Sequence, residues 1–160
     1  MKRALAAIIA AAAFVSAATA AEKIGYGSRV GMSLTIMSAD GLDTDRAVIH
    51  AVHDRRDAVQ FCREYERDKS ARCPDKEVKA IPSFTYTANC ETGVFVNPNG
   101  RYRFVGPLKT PDEDMSRTYQ VIDLSTGQDL DGSEASGYPL AMEVFKDLCP
   151  SKAPGEIFSQ

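Results

Sequence analysis

The apolar residues of this chain recur at every second position in several short stretches. Residues 30–36 show this clearly, because apolar side chains occupy positions 30, 32, 34 and 36. Such a period of two predicts a strand with one buried face. The pattern, together with runs of β-branched residues, predicts strands over 30–36, 46–53, 83–90, 94–96, 101–105 and 119–124, with a short return over 128–130.

Two other stretches have the spacing of a helix. Asp54 suits the N-cap of the first, and Ala58, Phe61, Cys62 and Tyr65 recur along one side of it. The polar stretch that follows, 68–79, is expected to be a loop. The second helix lies between two prolines, and its apolar face consists of Ala141, Val144, Phe145, Leu148 and Cys149. The order of elements predicts an α+β fold, a mainly antiparallel sheet covered on one face by two helices.

The N-terminus has the three parts of a secretory signal. Lys2 and Arg3 precede an uncharged apolar stretch, and small residues follow at 18–20. We therefore expect a signal peptide over 1–20, one exported domain over 21–150 and a mobile tail over 151–160. The alternative is an uncleaved anchor, but the apolar stretch is short for a membrane span, which needs about 20 residues. The chain is predicted to be periplasmic or secreted, with no membrane insertion after cleavage.

The charge balance argues against one class of partner. The chain of 160 residues has a formal net charge of -3, and removing Lys2 and Arg3 changes it to -5. Nucleic-acid binders use net positive fields, so no nucleic-acid partner is expected.

The four cysteines Cys62, Cys73, Cys90 and Cys149 all lie beyond the signal. In an exported chain an even number predicts disulfides, here two, while metal binding and free thiols are the alternatives. Four cysteines allow three connectivities. Cys90 and Cys149 are both predicted on core-facing sides, which favours Cys90–Cys149 together with Cys62–Cys73.

Candidate chemistry is sparse. His50 and His53 are the only histidines, and in a strand residues three apart point to opposite faces. The acidic runs at 40–45 and 129–134 lack the ligand spacing of a calcium loop and are interpreted as turns. No catalytic residue, metal or cofactor is predicted.

One surface feature suggests binding. Arg101 and Arg103 alternate with apolar residues, so both should project from the outer face of their strand. Together with Arg117, or with the hydroxyls of Thr85 and Thr87, they could contact an anion or a partner's carboxylates. The alternative is a pair of solvated strand charges.

Four short segments carry a resemblance to a known group. The residues at 26–32, 87–90, 136–138 and 145–150 resemble those of small exported four-cysteine proteins of rhizobia and related alphaproteobacteria. The resemblance implies a compartment and a shape, and it transfers no functional residue.

The sequence thus predicts a non-catalytic envelope binding protein whose partner is an unknown protein or envelope component. Two alternatives remain open at this stage. One is a periplasmic inhibitor of a host or competitor enzyme such as lysozyme, and the other is a hydrolase that uses His50 or His53.

Overall fold

The computed structural model describes residues 22–112 and 117–153, so the predicted signal segment 1–20 lies outside the described residues. The strands are β1 (Lys23–Gly25), β2 (Ser33–Asp40), β3 (Ala47–Val52), β4 (Ser83–Asn89), β5 (Val94–Asn97), β6 (Gly100–Asp112) and β7 (Arg117–Asp123). The helices are α1 (Arg55–Glu64), α2 (Arg72–Ala80) and α3 (Tyr138–Leu148).

The strands form one sheet in chain order, each antiparallel to the next. The Tyr86 hydroxyl of β4 donates a hydrogen bond of 2.9 Å to the Gly25 carbonyl of β1. Three strand spacings of about 4.8 Å would separate these strands in a flat sheet, so this contact requires the sheet to curl. One face is therefore concave.

Helix α3 packs against the concave face and contacts β1, β3, β4, β5 and β7. The Phe145 ring stacks on Phe104, with centroids 4.3 Å apart, and lies 5.2 Å from Phe95. Leu148 and Val144 of the same helix face are fully buried. The α+β class with a mainly antiparallel sheet and two disulfides is confirmed.

The helix count differs from the prediction, because the expected loop 68–79 contains α2. This helix packs on α1, and the Cys62–Cys73 disulfide joins the two. Pro74 lies in its first turn, where a proline is tolerated since the amide has no helical partner. Pro74 is its one buried residue, and the apolar side of α2 consists only of Cys73, Pro74 and Val78, a short signal within a polar stretch.

The strand boundaries also shift. Strand β1 was not predicted, and β2 starts at Ser33 because Val30, Gly31 and Met32 belong to a turn. Strand β6 continues well beyond residue 105, and the predicted return over 128–130 is a single bridge from Asp129 to Ile122.

The disulfides are Cys62–Cys73 and Cys90–Cys149, the two pairs that the sequence favoured. Cys90 follows β4 and Cys149 follows α3, so the second bridge fixes the end of α3 to the sheet. The predicted mobile tail begins at Ser151, but Ser151 donates two hydrogen bonds to Asp43. Ala153 is buried, and residues 154–160 lie outside the described residues.

None of the helices in the described part of the chain is long and apolar enough to cross a membrane.

Replacing Cys90 and Cys149 by alanine is expected to lower the free energy of unfolding more than replacing Cys62 and Cys73. In the chain-entropy description, a separation of 59 residues is worth about 4 kcal/mol and one of 11 residues about 3 kcal/mol. The longer bridge also lies in the main core, so its loss leaves unfilled volume. Equilibrium urea unfolding of the two double variants measures the difference. Equal losses of unfolding free energy in both would contradict this expectation.

Candidate functional site

A cavity of about 930 Å³ lies between the start of the sheet and α3. We call it the α3 groove. One wall is β1 with the turn that follows it, and the other is the exposed side of α3. Its principal lining residues are Lys23, Gly25, Arg29, Met32, Glu134, Leu140, Glu143, Lys146 and Asp147.

The turn between β1 and β2 has a fixed shape. The Tyr26 amide donates to the Met32 carbonyl at 3.0 Å, and the Met32 amide donates to the Arg29 carbonyl at 2.9 Å. Gly31 has a φ of 78°, and a Cβ there would lie 2.5 Å from the Phe61 nitrogen of α1. Only glycine fits this position, so α1 fixes this wall of the groove by backbone contact.

Glu143 and Asp147 lie one helical turn apart on the groove side of α3. Burial raises the pKa of both carboxyl groups, although Glu143 still reaches the surface. The pKa of Asp147 rises to about 7, because the charges of Glu143 and Glu22 add to burial and outweigh the opposing effect of Lys146. The groove thus brings together carboxylates that are costly to ionise.

Two cations that line the groove are engaged elsewhere. Lys23 forms an ion pair with the buried Asp57 of α1. Arg29 lies 3.9 Å from Glu134 and over the Tyr65 ring, 5.1 Å from its centroid. Among the described residues, Glu143 and Asp147 form neither a hydrogen bond nor an ion pair. This wall of the groove therefore presents two carboxylates, and Lys146 is the cation beside them that lowers the pKa of Asp147.

The two histidines occupy different environments. His50 is exposed on β3, and its Nδ1 lies 2.9 Å from the Thr85 hydroxyl. His53 is buried after β3, with its Nδ1 3.2 Å from the Ile81 carbonyl and its ring against Tyr26. The structure does not bring them together.

The buried Tyr26 is the first residue of the turn that lines the groove. Burial raises the pKa of its hydroxyl to about 12, and the charges of Glu77 and Asp57 contribute to this rise. The phenol therefore stays protonated at neutral pH and acts as packing between β1 and His53.

The predicted arginine site is only partly assembled. Arg101 and Arg103 are exposed on the outer face of β6, and Thr87 lies in the same row as Arg101 across Val96. Arg117 is remote from them on β7 and donates to the Leu130 carbonyl. Thr85 lies two residues from Thr87 on the same face of β4.

Both acidic runs contain hydrogen bonds that are typical of turns. Asp131 accepts hydrogen bonds from the amide and hydroxyl of Ser133, and the Thr44 hydroxyl donates to Gly41. In residues 22–112 and 117–153 no group of three or more His, Cys, Asp or Glu side chains is arranged to hold a metal ion.

Glu143 and Asp147 were not among the residues predicted from the sequence. Their spacing in the sequence is nevertheless informative. Two carboxylates at positions i and i+4 of a helix repel each other and destabilise the helix unless a positive charge compensates. The groove itself has no such signal, since its opposite wall begins with the unpredicted β1.

Comparison with protein-family models, with curated proteins and with solved structures gives no match for this chain.

Replacing Asp147 by asparagine is expected to raise the free energy of unfolding at about pH 8 by about 1–2 kcal/mol, allowing for solvent screening. The pKa of Asp147 is about 7 in the folded protein, against about 3.9 in an unfolded chain, so the unfolded state releases this proton first as the pH rises. Ionisation therefore favours unfolding from about pH 4 upwards, with the full effect above about pH 7.

Thermal unfolding of wild type and variant between about pH 3 and pH 8 tests this. The two curves should meet at low pH and separate as the pH rises. Glu66→Gln, at an exposed position outside the groove, is the control and should run parallel to the wild type. A constant offset for Asp147→Asn at all pH values would show that its effect is not electrostatic.

Proposed function

We propose that this chain is an exported, non-catalytic binding protein of the cell envelope, and that the α3 groove receives a positively charged group of its partner. The observation that carries the proposal is the pair Glu143 and Asp147, which faces the α3 groove without a hydrogen bond or ion pair from the described residues.

Ionisation of Glu143 and Asp147 is unfavourable in the protein without a ligand. Burial and mutual repulsion raise the pKa of Asp147 to about 7, so at neutral pH the folded protein carries an unfavourable ionisation. An ammonium or guanidinium group between the two carboxylates would offset both effects and form charge-assisted hydrogen bonds. Such a ligand binds best where Asp147 is ionised, so affinity should rise with pH through about 7.

Other observations support the proposed location outside the cytoplasm. Two disulfides are typical of chains that fold in an oxidising compartment. The basic start, apolar stretch and small residues at 18–20 have the form of a cleavable signal. The resemblance to small exported proteins of alphaproteobacteria agrees with this location.

Expression with the complete N-terminus in an alphaproteobacterial host should yield a shortened protein outside the cytoplasm. Its intact mass is expected to match a chain that starts at Ala21 or Glu22 and has lost four thiol hydrogens. Fractionation followed by mass spectrometry measures this. Recovery of the 160-residue chain in the cytoplasmic fraction would overturn the export proposal.

The groove is tested with an immobilised protein and an envelope extract. Wild type is expected to retain a specific partner at about pH 8 and release it as the pH falls below about 7, because Asp147 then becomes protonated. Glu143→Gln/Asp147→Asn should lose this partner. The control Glu66→Gln/Glu91→Gln removes the same charge from exposed positions outside the groove.

Equal capture by wild type and the groove variant would contradict the proposal. The identity of the partner also decides the alternative of an enzyme inhibitor. If it is a lysozyme, and purified wild type slows that enzyme while the groove variant does not, the binding function is inhibition.

A further inference from the structure

The sheet has a second face, and α3 covers only the concave one. On the outer face, strand pairing aligns Val48, Thr87, Val96 and Arg101 in one row across β3 to β6. The neighbouring row contains Asn89, Val94, Arg103 and Ile122. A shallow cavity of about 560 Å³, which we call the outer trough, lies over the first row and over Asn89 and Val94 of the second. Arg103, the strand partner of Val94, lies beside it.

The floor of the outer trough is apolar. Val48, Val94 and Val96 are half-buried there, beside the Thr87 hydroxyl. Arg101 bounds it on β6, and Arg46 bounds it on the β3 side. Apolar surface between charged walls strengthens polar contacts once a ligand excludes water.

Arg101 and Arg103 have unused hydrogen-bonding capacity. Both side chains are exposed, and within the described residues neither guanidinium forms a hydrogen bond or an ion pair. Arg55 is paired with Asp75 and Arg56 with Asp54, whereas Arg63 and Arg72 of the helices are, like Arg101 and Arg103, exposed without an ion pair in the described residues. Five planar donors on each free guanidinium suit bidentate binding of a carboxylate.

We propose that the outer trough binds an extended, acidic segment of a partner protein that carries carboxylates at alternate positions. Arg101 and Arg103 are two residues apart on one strand, so their Cα atoms are separated by about 6.8 Å. Carboxylates at positions i and i+2 of an extended segment have the same spacing. The segment would lie along β6 with both carboxylates over the arginines and apolar atoms over Val94 and Val96.

Charge excludes a second copy of this chain as the better occupant. In a two-fold pairing of outer troughs, Arg101 and Arg103 would need acidic partners from the trough of the other copy. Asp45 is the one acidic residue that lines the trough, and it already lies 3.7 Å from Arg46. The site is independent of the α3 groove.

The probe is a peptide amide of sequence Thr-Glu-Val-Glu-Thr with fluorescein on its N-terminal amine, measured by fluorescence anisotropy. Wild type should bind it about tenfold more tightly than Arg101→Gln/Arg103→Gln, because two charge-assisted pairs are lost. The matched control Arg63→Gln/Arg72→Gln removes the same charge from exposed helix positions and should bind as wild type does. Glu143→Gln/Asp147→Asn should also leave this binding unchanged, which separates this proposal from that of the groove.

Three results would overturn the inference. Equal weakening by the two arginine pairs would show non-specific attraction. Equal affinity for Thr-Glu-Val-Thr-Glu, in which the carboxylates are three positions apart, would show that strand spacing plays no role. Binding to phosphatidylglycerol vesicles that requires Arg101 and Arg103, without binding of the peptide, would make the ligand an anionic lipid surface.

Discussion

Phe145 packs between the rings of Phe95 and Phe104, and this contact fixes α3 within the curl of the sheet. A single helix on the concave face must fill the space that five strands enclose, which explains its apolar composition around Val144 and Leu148. The Cys90–Cys149 bridge then fixes the end of the helix. Loss of the aromatic contact would leave Val144, Leu148 and this bridge to hold the helix against the sheet.

The position of α3 determines the chemistry of its opposite side. Leu140 packs against Gly25, where a Cβ would lie 2.8 Å from its Cδ1 atom. Glu143 is three residues further along α3, so this close approach places it beside β1 as well. Asp147 follows four residues later. Their raised pKa values are therefore a consequence of core packing. The same apolar contacts that stabilise the fold hold these carboxyl groups where ionisation is unfavourable.

Local patterns predicted most of the sheet, because β3 to β7 alternate with a period of two and tight turns separate several of them. They also gave the α1 cap at Asp54, whose carboxylate accepts from the Arg56 amide. Strand β1 is too short for a period, and its place depends on pairing with β2 over three residues. The apolar side of helix α2 is limited to Cys73, Pro74 and Val78, and its place depends on packing against α1 and on the Cys62–Cys73 disulfide. The α3 groove needs both β1 and the packing of α3, and neither is a local property.

The two proposed sites carry opposite charges on opposite sides of the same sheet. Glu143 and Asp147 lie on the side that α3 covers, while Arg101 and Arg103 project from the uncovered side. With about one sheet thickness and a helix between them, roughly 10 Å or more, the two sets are separated by at least a Debye length at physiological salt. Occupation of one site should therefore have little electrostatic effect on the other. The arrangement therefore suits simultaneous binding of a basic and an acidic partner rather than an exchange between them.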